Sequence, residues 1–279
     1  MKRHCFTLLT SLFLLLCVGG SGQAATTFDN LVVFGDSLSD TGQIGRFSDG
    51  DIWVETLARS LGLTLYNNAY AGATTGYDNP GVGLTNTGLL WQVDEYVSSL
   101  PSEYSLVTVW AGANDLANNR GYENAVANIA TALGLLYEAG FRYFMVPNLP
   151  DIGNTPIAQA TGETYVQAAS LWSREFNAYL AAMLTDFAEQ NQGAVLYDLD
   201  IYAVFDEYTV NAEDWEKLFW TDGYHPSSVG HNLIASVATN AVPVPQTAIL
   251  LISGLFGLVL AGCKRQKKYY LQQNSFYKK

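Results

Sequence analysis

The stretch Leu31-Val32-Val33-Phe34-Gly35 is a short apolar run that stops at a glycine. A run of this length without polar residues predicts a strand buried inside a sheet. Four further runs predict strands, at residues 63–66, 105–110, 143–146 and 194–197. Helical spacing of apolar residues predicts helices at 53–61, 87–100, 123–139, 163–190 and 229–238. This alternation of strands and helices predicts an α/β fold with a parallel sheet that is covered on both faces.

Charge is distributed unevenly along the 279 residues. Eight of the fourteen basic residues lie near the two ends, whereas all twenty-six acidic residues lie between positions 25 and 246. That central part has six basic residues and therefore a net charge of −20. A surface so acidic repels nucleic acid, so nucleic acid is not expected as a partner.

The amino-terminal residues 1–24 have the pattern of a secretory signal peptide. Lys2, Arg3 and His4 form a positive start, an apolar run follows from position 8 to 18, and Gly22-Gln23-Ala24 resembles a cleavage site. The alternative is an anchor that is never cut, but the apolar run is short for a bilayer. We therefore expect an exported domain over residues 25–240.

The carboxyl-terminal end predicts a membrane anchor. A Pro-rich linker at 241–246 precedes seventeen uncharged residues, 247–263, which can just span a bilayer as a helix. The basic tail, 264–279, is expected on the cytoplasmic side. This end resembles a bacterial PEP-CTERM sorting signal, with Val244 where that family has Glu. The resemblance implies a membrane contact and a sorting protease as partners.

Cysteine and histidine are scarce in the central domain. Cys5, Cys17 and Cys263 all lie in the apolar ends, which leaves the domain without a disulfide or a cysteine nucleophile. Only His225 and His231 can act there as a base near neutral pH. A zinc site would need an unusual set of carboxylate ligands, so neither a metal nor a cofactor is expected.

Ser37 and the segment Asp222-x-x-His225 carry the strongest signals for chemistry. Ser37 follows the first buried strand in a turn that we expect to lead into a helix, whose free N–H groups would lie near its hydroxyl. Asp222 can reach the imidazole of His225 from the same turn, as in acyl-transfer sites. We expect His225 to open the last helix, with Pro226 at its first position.

Simpler interpretations exist for each of these residues. Ser37 could be an ordinary turn serine, Ser39 has similar spacing, and Asp222 or His225 could merely cap a helix. His231 lies inside the predicted helix and is interpreted as structural. The tripeptide at 40–42, Asp-Thr-Gly, is typical of aspartic proteases, but these enzymes need two copies and the chain has one.

Two small-residue turns also follow strands. Gly72 could bring a backbone N–H close to a ligand, and Asn114 could offer a side-chain N–H. Four aromatic residues flank these segments and could line a substrate pocket or pack in the core: Tyr70, Tyr77, Trp110 and Tyr224.

Together these segments resemble the GDSL esterase/lipase family, the SGNH hydrolases. The similar blocks are those around Ser37 (residues 34–42), Gly72 (67–74), Asn114 (112–116) and His225 (218–227), in family order. The resemblance implies a three-layer α/β/α sandwich with a central parallel five-stranded sheet, in addition to the apolar helices expected at both ends.

The resemblance also implies a role for each residue. Ser37 would be the nucleophile, His225 the general base and Asp222 its orienting carboxylate. The backbone N–H groups of Ser37 and Gly72 and the side chain of Asn114 would form the oxyanion hole. We therefore expect an exported serine esterase of the cell envelope or its surroundings, acting on short-acyl, lipid or acetylated-carbohydrate esters. The alternative is a non-catalytic surface module that keeps the fold.

Overall fold

A computed structural model describes residues 28–209 and 212–243 of the protein. The strands are β1 Asn30–Gly35, β2 Thr64–Asn67, β3 Ser105–Trp110, β4 Tyr143–Met145 and β5 Val195–Tyr197. The helices in the described part are α1 Trp53–Leu61, α2 Leu89–Tyr96, α3 Ala113–Ala117, α4 Tyr122–Glu138, α5 Pro156–Thr161, α6 Glu163–Gln190, α7 Ile201–Asp206, α8 Ala212–Lys217 and α9 Ser228–Ala241. The predicted signal peptide, anchor helix and basic tail lie outside the described residues, as do residues 244–246 of the predicted linker.

The five strands form one parallel sheet in the order β2-β1-β3-β4-β5. The central strands β1 and β3 are almost entirely buried, whereas the edge strands β2 and β5 have exposed residues. Uninterrupted apolar runs are typical of strands covered on both faces, which explains why these two were readable from sequence. The predicted α/β fold with a five-stranded parallel sheet is confirmed.

The strand order also determines which helices cover which face. From β1 the chain first adds β2 on one side. It then crosses to the other side of β1 and adds β3, β4 and β5 outward in turn. Because crossover connections are right-handed, this reversal puts α1 on one face and α2, α4 and α6 on the other. The packing agrees, since α9 returns to pack against α1, while α4 packs against both α2 and α6. The three-layer arrangement follows.

The reversal creates a crevice at the carboxyl ends of β1 and β3, where open α/β sheets place their ligand sites. Gly35 ends β1 there, and a Cβ atom on it would lie 2.2 Å from the Trp110 carbonyl oxygen at the end of β3. The buried Gln92 of α2 supports the same point, donating to Gly35 O at 2.8 Å and accepting from Gly35 N at 2.9 Å. The two strand ends are therefore held close together.

In the described part of the chain, no helix is both long and apolar enough to cross a membrane.

Candidate active site

Ser37 lies in a tight turn directly after β1, with 5% of its surface exposed. The turn is closed by N–H groups of Ser39 and Asp40 that donate to Asp36 O at 3.0 and 2.9 Å. The expectation that this turn leads straight into a helix is wrong, because the next helix, α1, begins only at Trp53. The side chain of Asp36 also stabilises the turn by accepting from Leu38 N at 3.0 Å.

His225 contacts both Ser37 and Asp222. Its Nε2 atom lies 2.8 Å from Ser37 Oγ, and its Nδ1 atom lies 2.6 Å from Asp222 Oδ2. The second carboxylate oxygen, Asp222 Oδ1, accepts from the N–H groups of Tyr224 and His225 at 2.9 and 3.0 Å. The structure therefore brings together, in one hydrogen-bonded line, the three residues that the sequence predicted.

Electrostatics favour a charged Asp222. Partial burial raises the pKa of its carboxyl group, but hydrogen bonds from the His225 ring and from two backbone N–H groups outweigh burial and leave the pKa below its ordinary value. An ionised carboxylate at Nδ1 keeps a proton on that nitrogen and leaves Nε2 able to accept the proton of Ser37.

The segment that carries His225 is a loop, and the expectation that His225 opens the last helix is wrong. The loop is tied by Trp220 N, which donates to His225 O at 2.8 Å, and by a bridge between Phe219 and Pro226. Helix α9 begins two residues after Pro226, and its cap is Ser227, whose hydroxyl accepts from Gly230 N. The missed signal is this serine, a preferred N-cap residue that lies directly before the helix.

Gly72 lies in a turn that is anchored to the Ser37 turn. Ala71 N donates to Asp40 Oδ2 at 2.8 Å, and Tyr70 N donates to Gly35 O at 3.1 Å. Gly72 itself has φ +81°, and a Cβ atom on it would lie 2.5 Å from Asn79 Oδ1, so the position requires glycine. Within the described residues, the N–H groups of Ser37 and Gly72 donate no hydrogen bond.

Asn114 follows β3 in the first turn of α3. Its Nδ2 atom donates to Ala73 O at 3.0 Å, next to Gly72, and to Asp36 Oδ2 at 3.3 Å, next to Ser37. The three residues predicted to form an oxyanion hole are therefore linked to one another through immediate neighbours.

Asp36 was not assigned a role from sequence, although it precedes Ser37. It is fully buried, and burial, with a smaller contribution from the charge of Asp115, raises the pKa of its carboxyl to about 7 against hydrogen bonds from Leu38 N and Asn114. Phe47 was also missed: its ring lies 4.9 Å from that of His225. No local pattern marks Phe47, because the contact joins segments that are distant in sequence.

The alternative candidates have structural roles. Ser39 is buried and its Oγ accepts from Trp53 Nε1 at 3.1 Å. Asp40 accepts four backbone N–H groups, from Gly42, Gln43, Ile44 and Ala71, which explains the Asp-Thr-Gly tripeptide without a protease site. His231 lies inside α9 and is fully buried. In the described residues, no three His, Cys, Asp or Glu side chains gather as a metal site would require.

An apolar cavity of about 30 Å³ lies beside Ser37. Two of the four aromatic residues considered from sequence line it, Trp110 and Tyr224. The other two lie elsewhere: the Tyr70 hydroxyl lies 2.6 Å from that of Tyr96, and the exposed Tyr77 donates to Asp94.

Comparison with known proteins agrees with this geometry. The model of the GDSL-like lipase/acylhydrolase family matches residues 31–238. The chain is 31% identical over 209 residues to the thermolabile hemolysin of Vibrio parahaemolyticus, covering 67% of this chain and 49% of that protein. It is 26% identical over 292 residues to an acetylesterase of Thermothelomyces thermophilus, covering 84% of this chain and 97% of that protein.

A further relative is a phosphatidylcholine-sterol acyltransferase of Aeromonas hydrophila, 31% identical over 200 residues, covering 61% of this chain and 57% of that protein. The chain thus spans about half the length of the hemolysin and slightly more than half the length of the acyltransferase.

Solved structures show the same fold. A lipolytic protein of the G-D-S-L family from Veillonella parvula has a TM-score of 0.53 and 19% identity, covering 76% of this chain and 96% of that one. An acetyl-xylooligosaccharide esterase from Geobacillus has a TM-score of 0.54 and 14% identity, covering 78% and 97%.

Proposed function

The chain belongs to the GDSL-like lipase/acylhydrolase family, and from this premise we propose that it is a serine esterase that hydrolyses carboxylic esters. The observation that carries the proposal is the line Asp222–His225–Ser37, joined by contacts of 2.6 and 2.8 Å. A carboxylate, an imidazole and a hydroxyl in this order can activate the hydroxyl as a nucleophile.

In the acylation step, Ser37 Oγ attacks the ester carbonyl carbon while its proton passes to His225 Nε2. The carbonyl π electrons move onto the carbonyl oxygen and give a tetrahedral oxyanion. When this intermediate collapses, the bond to the alkoxy oxygen breaks, and that oxygen leaves as an alcohol with the proton from His225. Asp222 remains ionised throughout and stabilises the imidazolium.

The developing oxyanion needs hydrogen-bond donors that are already in place. The N–H groups of Ser37 and Gly72, which donate no hydrogen bond within the described residues, are two of these donors in the proposal. Asn114 is the third, and its long 3.3 Å contact to Asp36 is the one that an oxyanion would replace. Donors aimed at the developing charge are commonly the largest contribution to such catalysis.

Hydrolysis is completed when water attacks the acyl-serine. His225 Nε2 takes one proton of the water, a second tetrahedral oxyanion forms, and its collapse returns the proton to Ser37 Oγ. The products are a carboxylic acid and the free enzyme.

Turnover of nitrophenyl acetate and nitrophenyl butyrate by the full chain tests this proposal. Ser37→Ala is expected to abolish turnover while its circular dichroism spectrum stays that of the unmodified chain. Ser39→Ala is the matched control, since it removes a hydroxyl two residues away and should retain turnover. A Ser37→Ala variant as active as the parent would overturn the proposal and favour the non-catalytic module.

We also propose that the enzyme is exported and held at a membrane. Support comes from the sequence of residues 1–24 and 247–268, a signal-like start and an uncharged segment followed by basic residues. Mass spectrometry of the chain recovered from bacterial cells is expected to find an amino terminus near residue 25, in a membrane fraction. Recovery of the intact amino terminus in the cytosol would contradict it.

A further inference from the structure

Apolar side chains form most of the cavity wall beside Ser37, and the buried ones include Leu149, Ile201, Phe205 and Phe219. Ser37 and Asn114 are among its polar lining residues. The cavity thus borders the hydroxyl that attacks and an amide that donates. A carbonyl group placed between these two residues would direct one of its substituents into the cavity.

The position of His225 indicates which half of the ester this is. The leaving alkoxy oxygen has to lie within hydrogen-bond reach of His225 Nε2 to receive its proton. His225 is not among the described residues that line the cavity, although Tyr224 and Pro226 on either side of it are. The alcohol therefore lies toward His225, outside the cavity, and the substituent inside it is the acyl chain.

The cavity is small. One water-sized group needs roughly 10–15 Å³ of such space, so 30 Å³ accommodates about two groups of that size. An acetyl or propionyl ester places one or two carbon atoms beyond its carbonyl carbon. A chain of eight carbons would have to displace the surrounding side chains.

The aromatic part of the cavity wall resists such displacement because its rings are packed together. The Phe205 and Phe219 rings lie 6.2 Å apart, and Trp215 packs against both, with ring centres at 6.2 and 4.8 Å. Phe205 is only 2% exposed. Close-packed rings of this kind do not move aside without a loss of packing energy.

We propose that this cavity is the acyl-binding site and that its aromatic wall restricts the enzyme to esters of short acids, acetyl and propionyl. The proposal rests on the serine esterase function proposed above. It separates this chain from enzymes that cleave long-chain lipid esters, because the restriction lies in the acyl half of the substrate.

The test compares kcat/KM for nitrophenyl acetate and nitrophenyl octanoate in the full chain. The unmodified enzyme is expected to favour acetate by about 100-fold, since misfit in a hydrophobic pocket is worth about 10- to 200-fold. Phe205→Ala removes one ring of the wall and is expected to raise the octanoate-to-acetate ratio at least about tenfold. Phe205→Leu is a milder change that should move the ratio in the same direction. It serves as the test variant if Phe205→Ala folds poorly.

Phe187→Ala is the matched control. Phe187 is similarly buried but packs against Tyr137 and Phe144, away from the cavity, so its loss should leave the ratio unchanged. Octanoate hydrolysed as well as acetate by the unmodified chain would overturn the acyl-site proposal alone. The acyl-site proposal alone would also be overturned if neither Phe205→Ala nor Phe205→Leu changed the octanoate-to-acetate ratio. Absence of hydrolysis of every ester tested would overturn the esterase function as well.

Discussion

His225 and His231 are six residues apart, yet their surroundings are opposite. His225 lies in the loop before α9, partly exposed, with a carboxylate at one ring nitrogen and a hydroxyl at the other. His231 lies inside α9, fully buried, where its Nδ1 accepts from Trp53 N at 3.4 Å. Its Nε2 is buried and has no hydrogen-bond partner within the described residues.

The difference shows that partners, rather than residue type, decide what a histidine can do. Burial lowers the pKa of His231 to about 3, with smaller contributions from electrostatic interactions with His225 and Arg46. A ring that stays neutral throughout the physiological range and faces no substrate cannot exchange protons with one. His225 has both a proton donor to act on and a carboxylate to support its charged form.

Replacing each histidine in turn gives the largest expected contrast. His225→Ala should lower kcat/KM for nitrophenyl acetate by about 10⁵- to 10⁶-fold, the loss typical of a base in such a site, and leave the melting temperature nearly unchanged. His231→Gln should retain activity within about threefold but lower the free energy of unfolding by about 1–3 kcal/mol, because the contact to Trp53 N is weakened. Equal losses of activity in the two variants would break the distinction.

Asp222→Asn tests the first partner of His225. The amide can still accept from the N–H groups of Tyr224 and His225, but it donates to Nδ1 and so favours the wrong tautomer of the ring. A loss of about 10⁴-fold in kcat is expected, with an unchanged melting temperature. A loss below about tenfold would show that His225 does not depend on this carboxylate.

Asn114→Ala tests the other side of the reacting carbonyl. Removal of this proposed oxyanion donor should lower kcat by about 10²- to 10³-fold. Asn128→Ala is the matched control, because Asn128 donates to Thr75 Oγ1 at 3.0 Å and supports the same loop without contacting Ser37. A control variant that loses as much activity would mean that loop position, and not the Asn114 donor, is responsible.

The smallest expected effect concerns pH and stability. The folded chain keeps His231 neutral down to about pH 3, whereas the unfolded chain protonates it near its ordinary pKa of 6.5. The unfolded state therefore binds more protons between these pH values. As pH falls, His231 lowers the free energy of unfolding by about 1.4 kcal/mol for each pH unit.

Urea unfolding of the parent and of His231→Gln at pH 6.5 and 4.5 measures that contribution. Between pH 6.5 and 4.5, the free energy of unfolding of the parent should fall by about 2–3 kcal/mol more than that of the variant. Parallel behaviour of the two chains would show that the His231 ring is not held neutral by the fold.

The sequence predicted the central strands, and the residues that meet as Ser37, His225 and Asp222, better than the segments that connect them. Strand β3 was predicted at its observed bounds, and β1 within one residue at each end, because buried strands have uninterrupted apolar runs. The turn at Ser37 was misjudged because the side chain of Asp36 stabilises it as an Asx turn by accepting from Leu38 N, and the chain then continues without a helix until Trp53. Short helices such as α5 and α7 were missed because they are stabilised by caps at Thr155 and Asp200 rather than by a long apolar stripe.

Residues that act through tertiary contacts were beyond sequence reasoning. Asp36 gains its contact with Asn114 only when β1 and β3 are adjacent, and Phe47 reaches His225 from a loop 178 positions earlier. The aromatic wall of the cavity likewise needs Phe205 of α7 to meet Phe219, which lies in the loop after α8.

Labelling with a fluorophosphonate probe, followed by mapping of the modified residue by mass spectrometry, tests most directly whether Ser37 is activated by His225. The Ser37 oxygen should displace fluoride and form a single adduct in the full chain, at Ser37, with His225→Ala labelled far more slowly and His231→Gln at the parent rate. An unlabelled parent chain, an adduct at Ser39, or equal labelling of the parent and His225→Ala would contradict it.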